Sequence, residues 1–312
     1  MVFFSIIIPL YNKKDYIKRC MESVLNQSYN KFEIIIVNDG STDGGDAVAQ
    51  EFINENIVFH TQPNQGVSVA RNKGVSLAKY NHVVFIDADD TWDRNFLLEL
   101  EKLIKEFPNA GIYGINHRYH YANGKVIHKE YNSLFNGNST GVFNDYFKIF
   151  AEYGKSPFSN SGCCYPKNVF ENIGGYKKGV KTTEDSDLWC RIALFNDIAF
   201  YIHPLVTYYL ETPNNTRSII EFKDFQVSRT LQERLNEKRI PKQYINSVKK
   251  LIAFQQVSLI KRALLTGNRN FALKKILDNR VLTNSPITAL KLMALVLVPH
   301  RLLIGARNLM NN

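Results

Sequence analysis

The stretch Val83-Val84-Phe85-Ile86-Asp87-Ala88-Asp89-Asp90-Thr91-Trp92 runs four apolar residues straight into three carboxylates. Val, Ile and Phe favour extended backbone, and a short apolar run without polar alternation fits a strand buried on both faces. The acids then stand where the strand ends and a loop begins. In open α/β sheets that carboxyl edge is where ligands bind. Three clustered carboxylates repel one another, and a cation relieves such a cluster. Oxygen-only ligation suits Mg2+ or Mn2+. Mg2+ takes one or two protein carboxylates and completes its shell with substrate phosphates, so the first expectation is a metal that holds a diphosphate. The plainer reading is a solvated acidic loop, with Asp93 capping a helix that starts near Arg94. The rest of the chain decides between the two.

Outward from this stretch, apolar runs and helical stripes alternate. Phe3–Ile8 reads as a strand and Lys14–Gln27 as a helix, with Ile17, Cys20, Met21, Val24 and Leu25 on one face. Phe32–Val37 is the next strand. It ends in Asn38-Asp39-Gly40-Ser41-Thr42-Asp43, turn residues of which the last three can cap a helix over Asp43–Asn54. A short strand Ile57–His60, a helix Gln65–Ala78, the Val83–Ile86 strand, a helix striped by Phe96, Leu97, Leu100, Leu103, Ile104 and Phe107, and a strand Ala110–Ile115 follow. This alternation predicts a parallel sheet with right-handed crossovers. Three polar clusters then fall at carboxyl ends of strands and converge on one crevice: Pro9-Leu10-Tyr11-Asn12, Asn38-Asp39-Gly40-Ser41 and Asp87-Ala88-Asp89. Neither G-x-G-x-x-G nor G-x-x-x-x-G-K-[ST] occurs, which argues against a dinucleotide fold and a P-loop NTPase. A nucleotide bound here has to be held by carboxylates and a metal.

The chain has 312 residues, 45% hydrophobic and 22% charged, enough for one large or two ordinary globular domains. Cys20, Cys163, Cys164 and Cys190 form no C-x-x-C pair, so neither a zinc site nor a disulfide framework is indicated and a reducing compartment is expected. No basic segment precedes the apolar run at Phe3–Ile8, so a secretory leader is not expected, and no apolar run is long enough for a spanning helix. Charge is uneven. Residues 1–220 carry 22 Lys and Arg against 24 Asp and Glu, whereas residues 221–312 carry 17 against 5. Asymmetry of this size points to regions with different partners.

Five blocks carry a family likeness. Ser5-Ile-Ile-Ile-Pro-Leu-Tyr-Asn12, Val37-Asn-Asp-Gly-Ser-Thr-Asp43, Asn64-Gln-Gly-Val-Ser-Val-Ala-Arg-Asn-Lys-Gly74, Phe85-Ile-Asp-Ala-Asp-Asp90, and Gly174-Gly175-Tyr176 followed by Thr183-Glu184-Asp185-Ser186-Asp187-Leu188-Trp189 resemble the ordered motifs of family 2 glycosyltransferases with the GT-A fold. The likeness covers about residues 3–210. It implies a Rossmann-like, mostly parallel sheet flanked by helices, in a catalytic domain over 1–220 with a nucleotide-sugar half to about 115 and an acceptor half to 220. It implies a nucleotide-diphosphate sugar donor, usually UDP-linked, Mg2+ or Mn2+, and inversion at the anomeric carbon. The expected activity is a hexosyl- or N-acetylhexosaminyl-transfer to a glycan or lipid-linked glycan in cell-surface polysaccharide synthesis. By position, Pro9 and Tyr11 would line the nucleoside pocket and Asp39 would accept from the base. Arg71 would lie near the diphosphate or base, and Asn64, Gly66 and Ala88 would belong to the same donor site. Asp87 would contact ribose or metal, Asp89 would ligate the metal, and Asp185 would deprotonate the acceptor hydroxyl.

The chain departs from the family pattern twice. Asn38 stands where an acid is commonest, and Tyr208-Tyr209-Leu210-Glu211-Thr212 replaces the usual Tyr-Arg-x-His. Which group neutralises the leaving phosphate is then open, with His203 and Arg217 as candidates. A sugar nucleotidyltransferase is the alternative enzyme, but Phe3–Asn12 lacks its glycine-rich activating loop with basic residues; the intact Asp87–Asp89 and Asp185 argue against a non-catalytic nucleotide-sugar or carbohydrate-binding protein. Residues 221–312 read as a basic helical region. Within it 287–309 combines Leu290, Met293, Leu297, Leu302 and Leu303 with Lys291, Arg301 and Arg307, around Pro299. Such a segment can lie on an anionic membrane surface, which places the protein in the cytoplasm, peripheral on the cytoplasmic face. No aromatic-interleaved basic motif appears, so nucleic acid is not an expected partner.

Overall fold

A computed structural model describes residues 1–210, 223–277 and 286–298. The chain forms two compact units, one of residues 1–146 and 156–216, the other of residues 147–155 and 217–312.

The first unit is an α/β sandwich. Its strands are β1 (Phe4–Leu10), β2 (Phe32–Asn38), β3 (Ile57–Thr61), β4 (His82–Phe85), β5 (Thr91–Trp92), β6 (Ile112–His120), β7 (Val126–His128), β8 (Thr140–Val142), β9 (Phe158–Pro166) and β10 (Ile198–Tyr209). The helices α1 (Lys14–Leu25), α2 (Gly45–Gln50), α3 (Val67–Leu77), α4 (Phe96–Glu106), α6 (Lys167–Asn172) and α7 (Glu184–Ala193) belong to this unit; α5 (Tyr146–Tyr153) begins at its border. The sheet order is β3-β2-β1-β4-β9-β6-β10-β5, with β7 on β6 and β8 on β10. β3, β2, β1 and β4 run parallel, as do β6 and β10.

The sheet is mostly parallel, as expected, and mixed where β9 joins it. β9 enters antiparallel between β4 and β6. Its Ser159-Asn160-Ser161-Gly162-Cys163-Cys164 is buried throughout but has no apolar run, so hydrophobic patterning does not announce it. All seven residues of β1 are buried, as a central strand covered on both faces requires. One core joins Ile6, Ile8, Ile34, Ile36, Val84 and Ile86 to Ile17, Cys20, Met21 and Val24 of α1 and to Phe96, Leu97, Leu100 and Leu103 of α4. Asn95, not Asp93, sits at the N-cap of α4, because Asp93 is drawn into an ion pair with Arg118. α2 is also shorter than its pattern predicts, starting after Gly44 in the left-handed region.

The second unit is helical, with α8 (Gln226–Asn236), α9 (Ile245–Leu265), α10 (Arg269–Ile276) and α11 (Pro286–Leu297). Ile260, Ala263 and Leu264 of α9 pack with Ala272 and Ile276 of α10 and Leu292 of α11. Asp224 accepts from Lys275 Nζ at 2.7 Å and Gln256 Nε2 at 2.9 Å, tying the segment before α8 to α9 and α10. The outer face of α11 carries Leu290, Lys291, Ala294 and Leu297, of which Leu290 is 67% and Leu297 83% exposed. Among the described residues no helix is long and apolar enough to cross a membrane. The remainder of the basic segment, 299–309, lies outside the described residues, as do Glu211, Thr212 and Arg217.

Gly162 is where β9 lies tightest on β6. A Cβ there would stand 2.5 Å from the Ile115 carbonyl oxygen, a backbone atom that cannot turn aside. Gly162→Ala should therefore lower stability by about 1–3 kcal/mol, the usual cost of overpacking, read as a reduced urea midpoint.

Candidate active site

The acid loop after β4 is fastened from below. Ser161 Oγ of β9 accepts from Asp87 N at 3.0 Å and donates to Asp90 Oδ2 at 2.5 Å. Asp90 N donates to Asp87 O at 2.9 Å, closing the turn. Each of the three carboxylates is relieved differently. Lys13 Nζ stands 2.6 Å from Asp89 Oδ2, and Arg71 Nη2 stands 2.7 Å from Asp87 Oδ1. Asp90 is buried, and burial followed by the charges of Asp89 and Asp87 pushes its carboxyl well above the usual range. Asp90 is therefore held as part of the loop's foundation. Trp92 is likewise structural, stacked on Phe96 with Nε1 donating to Ser161 O at 2.6 Å.

Two more strand ends meet this loop's neighbours. Beyond β1, Tyr11 is exposed and Asn12 adopts φ 51°, a left-handed conformation that asparagine tolerates. Asn12 Oδ1 accepts from Thr42 N at 2.8 Å, and Asn12 N donates to Ser41 Oγ at 3.2 Å. Asn38 accepts from Ser41 N at 3.0 Å, so the amide that replaces the commoner acid builds the turn. Asp43 accepts from Lys14 N at 2.9 Å and places a carboxylate at the first turn of α1. Asp39 is buried and organises the approach to α3: Oδ1 accepts from Gln62 Nε2 and Gln65 N, and Oδ2 from Gly66 N at 2.8 Å. A carboxylate has about four acceptor positions, so one remains for a ligand. Asn64 and Gly66 are exposed on that rim, Pro9 is buried within β1, and Ala88 is buried in the acid loop.

Arg71 of α3 joins this region to a second acidic site. Its side chain is 4% exposed, and its other terminal nitrogen donates to Glu184 Oε1 of α7 at 3.0 Å. Turning the Asn160 carboxamide so that its oxygen faces the guanidinium lets it accept from Arg71 Nε at 3.2 Å. The Tyr176 ring lies 5.2 Å from the guanidinium carbon. Burial, then the charge of Asp185, push Glu184 up to about 7 against the pull of Arg71. Burial likewise raises Asp185, which Arg71 opposes. Asp185 Oδ1 accepts from Ser186 N at 2.6 Å. Asp187 points elsewhere, paired with Arg191 at 2.8 Å and Lys177 at 3.6 Å, and Glu184 is paired with Arg71, so among the described ion pairs Asp185 is the one of the three acids not engaged.

Sequence reasoning missed Lys13 and Arg19. Arg19 Nη2 donates to Asp89 O at 3.0 Å, and its guanidinium lies over the Tyr209 ring at 3.4 Å. Tyr209, from the segment that departs from the family pattern, thus holds the cation that braces the acid loop. A basic pair directly after a strand-end Tyr-Asn was the available signal. His203 sits in the irregular part of β10, exposed, with its ring against Tyr201.

Asp87 and Asp89 each keep a second carboxylate oxygen free of these ion pairs, an oxygen-only donor set that fits Mg2+ or Mn2+ with the rest of its shell left to a diphosphate. Among the described residues no group of three or more metal-ligating side chains comes together, so such a metal would rest on these two carboxylates.

A mostly parallel, mixed sheet flanked by helices, with one carboxylate site at the end of β4 and another at the start of α7, is a GT-A type of α/β fold. Residues 5–173 match Glycosyl transferase family 2, and the chain belongs to that family. GlyA of Streptococcus pneumoniae is 37% identical over 105 residues, 33% of this chain and 15% of GlyA. TuaG of Bacillus subtilis, named for teichuronic acid biosynthesis, is 42% identical over 104 residues, 32% of this chain and 40% of TuaG. The chain thus spans less than half the length of these relatives. Residues 1–349 of Staphylococcus aureus TarS, solved with UDP-GlcNAc, share the fold at a TM-score of 0.63 and 18% identity, over 92% of this chain and 90% of that one. The family match ends before α7 and does not reach Asp185, whose role is implied by the Thr183–Trp189 block.

Removing the central cation would strand two carboxylates. Arg71→Met should destabilise the protein by roughly 3–5 kcal/mol, the cost of breaking a buried pair from one side. Differential scanning calorimetry of Arg71→Met beside Arg71→Lys checks it, the lysine variant losing less.

Proposed function

We propose that the chain transfers a sugar from a nucleotide-diphosphate sugar, UDP-linked, to a hydroxyl of a glycan or lipid-linked glycan, with inversion, in cell-surface polysaccharide synthesis. The observation that carries this reading is the single guanidinium of Arg71 set between Asp87 and Glu184. Inverting displacement needs one group of acids where the diphosphate leaves and another where the acceptor arrives, held at a fixed separation. A buried Arg fork supplies that separation. The TarS complex with UDP-GlcNAc supports a UDP-sugar donor on this fold.

In this reading the exposed Tyr11 ring stacks against the base, and the remaining acceptor position of Asp39 receives its N–H. Asp87 and Asp89 would hold Mg2+ or Mn2+, which when bound stabilises charge growing on the leaving diphosphate. Asp185 takes the proton of the acceptor hydroxyl, a contribution of about 10²–10⁴-fold for a well-placed base. Asp185→Asn should therefore keep donor affinity, measured by calorimetry with UDP and Mn2+, and lose transfer, measured as UDP release with acceptor present. Because burial raises Asp185 above the usual carboxylate range, wild-type transfer should climb as the pH rises through that raised pKa and then level off. A wild-type rate in Asp185→Asn would move the base elsewhere.

The helical unit carries the second half of the proposal, contact with the cytoplasmic face of an anionic membrane. Leu290, Ala294 and Leu297 form an exposed apolar line beside Lys291 on α11. Each basic group near such a surface contributes about 1 kcal/mol, screened by salt. The chain should co-sediment with anionic vesicles at low salt, less at high salt, and less again as Leu290→Asp/Leu297→Asp. A chain that stays in the supernatant at low salt removes this half and leaves the catalytic one standing.

A further inference from the structure

We infer that Lys13 is a displaceable counter-ion of Asp89, holding that carboxylate until a divalent cation and a diphosphate arrive together, and then passing to the diphosphate. This rests on the donor-site reading above. Lys13 Nζ lies 2.6 Å from Asp89 Oδ2 across 76 residues of sequence, both side chains being largely shielded at 18% and 16% exposure. The residue's backbone is fixed. Lys13 O accepts from Tyr16 N and Ile17 N at the start of α1, and the chain on either side is pinned through Asn12 to Thr42 and through Lys14 to Asp43. Its ammonium is a compact charge on a flexible four-carbon stem. The anchored backbone and long stem let the charge move without moving the loop.

The other cations of the site cannot do this. Arg71 is buried and forked between two carboxylates, and Arg19 is stacked on Tyr209 and donates to the Asp89 carbonyl. Among the described residues a divalent cation on Asp89 therefore has one competitor whose position is soft, Lys13. Two cations on one carboxylate repel, so a metal that arrives alone must overcome the ammonium. A metal that arrives with a diphosphate brings the anion that takes the ammonium up, and lysine is a ready phosphate partner as a point charge. Metal and donor are then bound cooperatively, and the cation that the altered Tyr208–Thr212 segment does not supply comes from the loop after β1.

Mn2+ binding without nucleotide, followed by the electron paramagnetic resonance signal of free Mn2+, separates the cases. Lys13→Met should bind Mn2+ alone about tenfold more tightly than wild type, the scale of removing one adjacent charge. Lys13→Arg should stay near wild type. In EDTA, calorimetry should find UDP bound more weakly by Lys13→Met than by wild type. Lys13→Gln gives the same readouts should Lys13→Met fail to fold. Equal Mn2+ affinity in wild type and the neutral variants would make the pair a mere structural tie and overturn the inference. If wild type binds neither Mn2+ nor UDP under any of these conditions, the donor-site reading fails first and the inference with it.

Discussion

A guanidinium with almost no exposed surface faces carboxylates from segments 16 and 113 residues away along the chain. Burying that charge is tolerable only because each terminal nitrogen finds a carboxylate and the ring of Tyr176 covers it. The geometry is specific to arginine. A lysine offers one charge point, whereas the planar fork reaches two acids at once. The positions of α3, the acid loop and α7 are thereby fixed to one another. β9 contributes from beneath, Asn160 facing the guanidinium and Ser161 holding the acid loop. The two catalytic carboxylate groups of the proposed reaction therefore share a single structural origin.

The acid loop shows how three carboxylates within four positions can coexist. A soft cation answers Asp89, a rigid one answers Asp87, and Asp90 is pushed towards its neutral form by burial. The depth of each decides its fate. Asp90 is buried and bonded to Ser161, so it serves the fold, while Asp87 and Asp89 stay partly open towards a ligand. Cys20 lies under the same loop, 3.7 Å from the Asp87 carbonyl, and its thiol is pushed up by burial and by all three acids. All four cysteines are free and buried.

Much of the first unit was legible because its signals are local. Apolar runs gave β1, β2 and β4, and the stripe of α4 appears with Phe96, Leu97, Leu100, Leu103 and Ile104 buried as spaced. What escaped was set by tertiary contacts. β9 is a polar-looking strand whose burial comes from being clamped between β4 and β6, which no periodicity records. Leu25 belongs to the α1 stripe yet is exposed, since the helix ends there. Asp93 left its cap position for Arg118, a partner on β6 that spacing cannot reveal. Around the site, motif order put Asp39, Arg71, Asp87, Asp89 and Asp185 in one region. It could not say that Arg71 bridges, that Asp187 pairs with Arg191, or that Lys13 reaches Asp89, because each depends on side chains meeting across the fold.

The bridge also makes the two acidic groups electrically aware of each other. The charge of Asp87 is among the causes that raise Asp185, although their segments are far apart in sequence. Arg71 pulls Asp185 the other way, and it can do so only while it is held in place by Asp87 and Glu184. Anything that neutralises Asp87 without removing Arg71 therefore favours the ionised form of Asp185. In the proposed reaction a cation held by Asp87 and Asp89 would act on Asp185 in that direction, through charge alone.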